Sequence, residues 1–172
     1  MITLTFVSLF QDYHYRRKIV NKSDFLKIAL FDLWLANEDR NHNNFNMLLE
    51  FEDTKAYFIC PIDHVMILNS SHLDYEIALL TEDESIINTP LANALFSTDR
   101  KLGEYVDEIV ENFYLCTQVC EDQLPDTLSH IPVSWDIDVA QVGQRLRDNI
   151  FLDDWKRSCE QQFRELIQRY IV

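Results

Sequence analysis

Two glycines, Gly103 and Gly143, serve a chain of 172 residues. That scarcity limits which ligand sites the backbone can build. A Walker A loop, a GxGxxG turn or a glycine-rich repeat each needs several glycines in a short span, so the usual backbone cradles for phosphate are absent. What remains is side-chain chemistry on a conventional core. Hydrophobic residues make up 47% of the chain, enough to build such a core and too many for a disordered tail. The length suits one domain, read as an arm over 1–20, a central unit over 21–68 and a helical remainder over 69–172. No apolar run reaches the ~18 residues of a membrane span. The opening Met1-Ile2-Thr3-Leu4-Thr5-Phe6 alternates apolar with polar and does not read as a signal peptide. The expected location is the cytoplasm.

Charge narrows the partners. The formal net charge is −14, and residues 44–138 hold 19 acidic against three basic side chains. Such a field repels a phosphate backbone, so direct nucleic-acid binding is not expected. The acidic surface either aids solubility or docks a basic partner. Four cysteines (Cys60, Cys116, Cys120 and Cys159) are too few for a disulfide framework at this size and read as reduced core residues. Cys116 and Cys120, with His130 nearby, do not have zinc-finger spacing.

Periodicity supplies the elements. Ile2, Leu4 and Phe6 alternate as in a strand over 2–10. After Arg16-Arg17-Lys18, a helix capped by Asn21 or Ser23 carries Phe25, Ile28, Ala29, Phe31, Leu33 and Leu35 to about Ala36. Residues 37–44 contain no apolar member and read as a structured polar loop, since Asn and Asp bond their own backbone. Phe45–Leu49 and Ala56–Cys60 then predict a β-hairpin, ended by the turn Pro61-Ile62-Asp63-His64. Residues 69–98 predict loops, a short helix and a break at Pro90. The last third is helical, over about 100–121, from Asp136 or Asp138 to about Asn149, and over about 152–170. Pro125 and Pro132 are expected in the connector between the first two. Trp34, Trp135 and Trp155 read as packing residues.

One constellation carries chemistry. A carboxylate and an amide five residues apart, Asp39 and Asn44, can converge within one tight loop. A hairpin leaves that loop and returns, so Asp63 comes back to its neighbourhood. Two carboxylates and an amide oxygen at one cavity mouth suit Mg²⁺, which prefers hard oxygen ligands. The same set can position a hydroxyl nucleophile and neutralise a transferring phosphoryl group. Arg40 reads as a local ion pair or a phosphate partner, His42 as an exposed loop residue, and His64 as a group that orients the turn.

The arrangement Asp-x-x-x-x-Asn, hairpin, Asp is that of the catalytic loop in protein-kinase-like folds. The particular run Phe31-Asp32-Leu33-Trp34-Leu35-Ala36-Asn37-Glu38-Asp39-Arg40, followed by Asn44-Phe45-Asn46-Met47-Leu48-Leu49 and Pro61-Ile62-Asp63-His64, resembles the HipA-like kinase family. That family includes the kinases of bacterial toxin–antitoxin systems, and the match covers about residues 28–66. The resemblance implies a mainly α fold, a protein-kinase-like C-terminal lobe with a small β-hairpin next to the catalytic loop. It makes Asp39 the catalytic aspartate that orients or deprotonates the acceptor hydroxyl. It makes Asn44 and Asp63 the ligands of Mg²⁺ and, through it, of the ATP phosphates.

A kinase also needs a nucleotide-covering loop and a strand lysine paired to a helix glutamate. About 20 residues precede the first helix, none of them glycine. The expectation is therefore a C-terminal lobe alone, completed by an N-lobe on another polypeptide or covered by self-association, and acting on a protein acceptor. The alternative expectation is a catalytically inactive interaction module that uses its acidic face. A metal-dependent phosphohydrolase is a third reading, with fewer ligands than such sites usually collect.

Overall fold

Helix α1 (Ser23–Leu35) is the pivot of the fold, because apolar residues occupy nearly every side of it. Phe25, Leu26, Ile28, Ala29, Leu30, Leu33 and Trp34 are all buried, each large one worth about 1.5–3 kcal/mol of transfer free energy. The computed structural model describes residues 18–52, 56–69 and 76–172. The expected strand over 2–10, with Arg16 and Arg17, lies outside the described residues. Lys22 stands at the N-cap of α1 without a side-chain cap, so neither Asn21 nor Ser23 caps with its side chain. Instead Lys22 reaches across to the Leu95 carbonyl (3.1 Å) and pairs with Asp99.

The hairpin follows as expected in type, with shifted bounds. Strands β1 (Met47–Glu52) and β2 (Ala56–Pro61) pair antiparallel from Met47 opposite Pro61 to Glu52 opposite Ala56. Met47, Leu49 and Ile59 are buried, and β2 lies against α1. Strand β1 starts two residues late because Asn46 takes a left-handed φ of 41°, which no regular strand allows.

Beyond a 3₁₀ turn (Glu82–Glu84), capped reciprocally by Thr81 and Glu84, four more helices follow among the described residues. They are α2 (Pro90–Phe96), α3 (Leu102–Ser129), α4 (Val139–Asp148) and α5 (Asp153–Tyr170). Pro90 opens α2 at a position where its missing N–H is no loss, and Thr89 Oγ1 accepts from the Ala92 N–H at 3.2 Å. Asp138 caps α4 through a bond from the Gln141 N–H at 2.9 Å. Helix α3 corrects one expectation, since Pro125 lies inside it rather than in a connector. A mid-helix proline costs about 3 kcal/mol. Opposing that cost, Leu124 is buried and Leu128 packs against the core, close to Gly143 of α4. Pro132 does lie between α3 and α4.

The shortage of glycine shows in the backbone. Among the described residues, six non-glycine residues hold a positive φ: Ala36, Asn46, Asp63, Leu68, Asn69 and Asp136. Four of these are Asn or Asp, the side chains that tolerate this region best. The buried residues form one hydrophobic cluster centred on α1, α3 and α5. The described residues are thus mainly helical, with five helices and one two-stranded hairpin. No described helix is long and apolar enough to cross a membrane. Two packing expectations fail at the surface: Trp135 is 65% exposed, and Cys116 and Cys120 are exposed while Cys159 is buried. Trp135 sits in a short 3₁₀ turn between α3 and α4 (Val133–Trp135), and the two cysteines line an open groove between α1 and α3.

Candidate functional site

The site begins where α1 ends. The last carbonyls of a helix have no partner within it, and here none is left to solvent chance. Leu33 O accepts from the Cys159 thiol (3.6 Å), Trp34 O from the Trp155 indole (2.9 Å), Leu35 O from Leu68 N–H (2.7 Å) and Ala36 O from Asn69 N–H (3.0 Å). The Trp34 indole in turn donates to Ile150 O at 2.7 Å. Helix α5 and the loop after β2 therefore fix the point from which residues 37–44 depart. Ala36 takes the left-handed conformation there, which turns the chain sharply into the polar loop.

Within the loop, amides organise the backbone. Asn41 and Asn44 exchange backbone hydrogen bonds (3.0 and 3.2 Å). Asn41 Oδ1 accepts from Asn43 N–H, and its Nδ2 donates to Glu38 O, both at 2.9 Å. Asp39 is half-buried, and its Oδ2 accepts from Asn44 Nδ2 (3.0 Å) and from Asn46 Nδ2 (2.8 Å). The structure therefore brings Asp39 and Asn44 together, and adds Asn46.

Arg40 ties this loop to the hairpin. It is fully buried. Its Nη1 donates to Asn46 O at 3.1 Å, just before β1, and its Nη2 to Ile62 O at 3.2 Å, just after β2. Its Nε lies 3.1 Å from Asp32 Oδ2 of α1, at an angle that makes this an ion contact rather than a hydrogen bond. One side chain thus clamps the helix, the loop and both feet of the hairpin. Burial lowers the proton affinity of the guanidinium, and the carboxylates of Asp32, Asp39 and Asp63 oppose that shift. Asp39 and Asp63 accordingly flank the same cation. Of the two roles open to Arg40, the ion pair is the one observed.

Asp63 follows Ile62 directly, is exposed, and holds a φ of 56°. His64 meets Phe31 of α1 edge-on, with ring centroids 5.9 Å apart. Burial lowers the His64 pKa, with Arg40 adding to the shift and Asp63 opposing it. His42 is exposed, as expected.

Sequence reasoning left three polar residues of this cluster without a role: Asp32, Asn37 and Asn46. Asp32 and Asn37 are buried, and Asn37 Nδ2 donates to Asp32 Oδ1 at 2.8 Å. Burial pushes Asp32 up to about 7, against the pull of Arg40 and the Asn37 bond. The available signal was a carboxylate standing inside an otherwise apolar helix, five residues before an amide.

The donor set fits a hard cation in its chemistry. Asn44 spends its amide nitrogen on Asp39 and retains a carbonyl oxygen, and Asp63 offers an exposed carboxylate. Among the described residues, no three His, Cys, Asp or Glu side chains gather as a metal site, so any such ion would take water or phosphate oxygens for its other ligands. No family model, no curated protein and no solved structure matches this chain.

Proposed function

We propose that this chain is the C-terminal lobe of a HipA-like kinase, transferring a phosphoryl group from ATP to a hydroxyl acceptor once another polypeptide supplies the N-lobe. The observation that carries the reading is the Arg40 clamp. Asp39 and Asp63 are 24 positions apart in sequence, yet they flank one buried guanidinium that also bonds the carbonyls of Asn46 and Ile62. In this reading Asp39 orients the acceptor hydroxyl and takes its proton, while the Asn44 and Asn46 amides hold its carboxylate in place. Asn44 and Asp63 would hold Mg²⁺, and the ion when bound would supply charge neutralisation at the phosphates.

The test is titration calorimetry of Mg²⁺ in the presence of a non-hydrolysable ATP analogue. Asp63→Asn should weaken the response by about tenfold or more, whereas Asp148→Asn, on α4, should leave it alone. Equal responses in wild type and Asp63→Asn would count against the site. A second reading, a non-catalytic interaction module, is favoured by the exposed Ile62, Val65 and Met66 around Asp63. Phosphotransfer by the chain mixed with a candidate N-lobe, abolished by Asp39→Asn, separates the two.

A further inference from the structure

Asp32 is a buried carboxylate inside an apolar helix, and the chemistry proposed above gives it no part. It meets the wholly buried Arg40, whose Nε lies 3.1 Å from its Oδ2, and Asn37, whose Nδ2 donates to its Oδ1 at 2.8 Å. These are the two groups that act on its charge besides burial itself. The other elements packed on α1 spend their polar groups elsewhere. Helix α5 brings the Cys159 thiol, which burial pushes up to about 12 and keeps neutral, and Lys156, which pairs with Asp153. Helix α3 meets α1 through Phe113, edge-on to Trp34. The turn after β2 brings Asp63 and His64 within the field of Arg40.

Both charge states of Asp32 fit these surroundings. As a carboxylate it is balanced by Arg40 and bonded by Asn37. Asn37 Oδ1 is buried and has no hydrogen-bond partner, so a half-turn of that amide offers it to an Asp32 O–H. The clamp survives the change, because Nη1 and Nη2 bond the carbonyls of Asn46 and Ile62 and only Nε faces Asp32. What changes is charge. Asp32, Asp39 and Asp63 act on one guanidinium, so the set carries −2 with Asp32 ionised and −1 with Asp32 protonated. We propose that Asp32 is a positioning residue for the cation site and acts through Arg40. When Asp32 takes a proton, the Arg40 charge falls on Asp39 and Asp63 alone, and the site holds a cation less tightly. The inference rests on the reading that Asn44 and Asp63 hold the ion. By reciprocity, a bound cation drives the Asp32 proton off. Burial sets Asp32 at about 7, so the exchange falls between about pH 6 and pH 8, where carboxylates of ordinary pKa are already ionised.

The probe is Mn²⁺ alone, which shares the oxygen preference of Mg²⁺. Its binding to the full chain is followed by water-proton relaxation, with no nucleotide phosphate present to titrate. A coupling of about fivefold, the low end of the usual range, makes the affinity fall about threefold from pH 8 to pH 6. Asp32→Asn keeps the shape of the side chain without its charge, so it should hold the weaker affinity at both pH values. A merely structural role would move stability, which thermal melts at each pH report, and would leave the slope of affinity against pH in place. His42→Gln and His64→Gln, which remove the histidines beside the loop, should keep the slope. A flat wild-type profile, a slope that persists in Asp32→Asn, or one that either histidine variant removes would overturn the proposal. Should Asp32→Asn fail to fold, the wild-type and histidine profiles decide it. Failure of the underlying reading looks different: wild type would then bind Mn²⁺ no better than Asp63→Asn at either pH, and both would fall together.

Discussion

Replacing Arg40 by methionine keeps a long flexible stem and removes the guanidinium that joins three elements. The carbonyls of Asn46 and Ile62 lose donors at 3.1 and 3.2 Å; Asn46 O keeps the Ile62 N–H at 2.8 Å, and a part-buried acceptor left without a partner, as Ile62 O would be, costs roughly 1–3 kcal/mol. Asp32 loses its counter-charge at 3.1 Å. Its burial already favours the protonated form, so it neutralises rather than remaining a bare anion, which limits the loss on that side. The methionine also avoids the desolvation of a guanidinium. Together these place the net loss at about 1–3 kcal/mol, below the range for a buried ion pair that leaves a bare charge behind. Urea unfolding at pH 7 measures it as a drop in midpoint at unchanged slope. Arg40→Lys keeps the charge but cannot serve both carbonyls and Asp32 at once, so it should fall between wild type and Arg40→Met. A loss below about 1 kcal/mol for Arg40→Met would refute the reasoning, because the network would then contribute no more than an exposed pair.

Asp32 has a folded pKa of about 7 against 3.8 for the free side chain, so the folded state holds its proton more tightly than the unfolded one. That stabilisation is complete below about pH 4 and is lost as pH rises towards 7, by up to about 4 kcal/mol. Asp32→Asn should remove this fall from the unfolding midpoints between pH 4 and 8, and parallel profiles for the two proteins would contradict it. Gly103, in the first turn of α3, has no positive φ and open space where a Cβ would lie. Gly103→Ala should therefore raise stability by about 0.5–1 kcal/mol, and a lower melting temperature would show that the position has a constraint of its own.

What the sequence made legible was whatever followed from local rules. The apolar run Phe25–Leu35 could only be a buried helix, and Asp136 or Asp138 marked the start of α4, of which the structure selects Asp138. The two apolar runs around residue 53 implied a hairpin that carries Asp63 back towards Asp39. Misplaced features depended on distant partners. Pro125 reads as a helix breaker until Leu124 and Leu128 are seen packed beside it. Cys116 and Cys120 share a helical face, but spacing alone does not say whether that face meets the core or a groove. Trp135 has the size of a core residue, yet it occupies an exposed 3₁₀ turn.

The polar cluster shows the same division at finer scale. Asp39 and Asn44 were visible as a pair because their bond closes within one loop, five residues apart. Arg40 was ambiguous because its partners, Asp32, Asn46 O and Ile62 O, come from three directions. Yet the position of Asp63 is governed by Arg40 more than by the turn that contains it. Nη2 holds the carbonyl of Ile62, one residue before Asp63, while Ile62 N–H donates to Asn46 O at 2.8 Å. Asn46 O thus accepts from both Arg40 and Ile62, and Asn46 Nδ2 bonds Asp39. A single amide residue therefore couples both carboxylates, so any displacement of the hairpin foot must move Asp39 and Asp63 together.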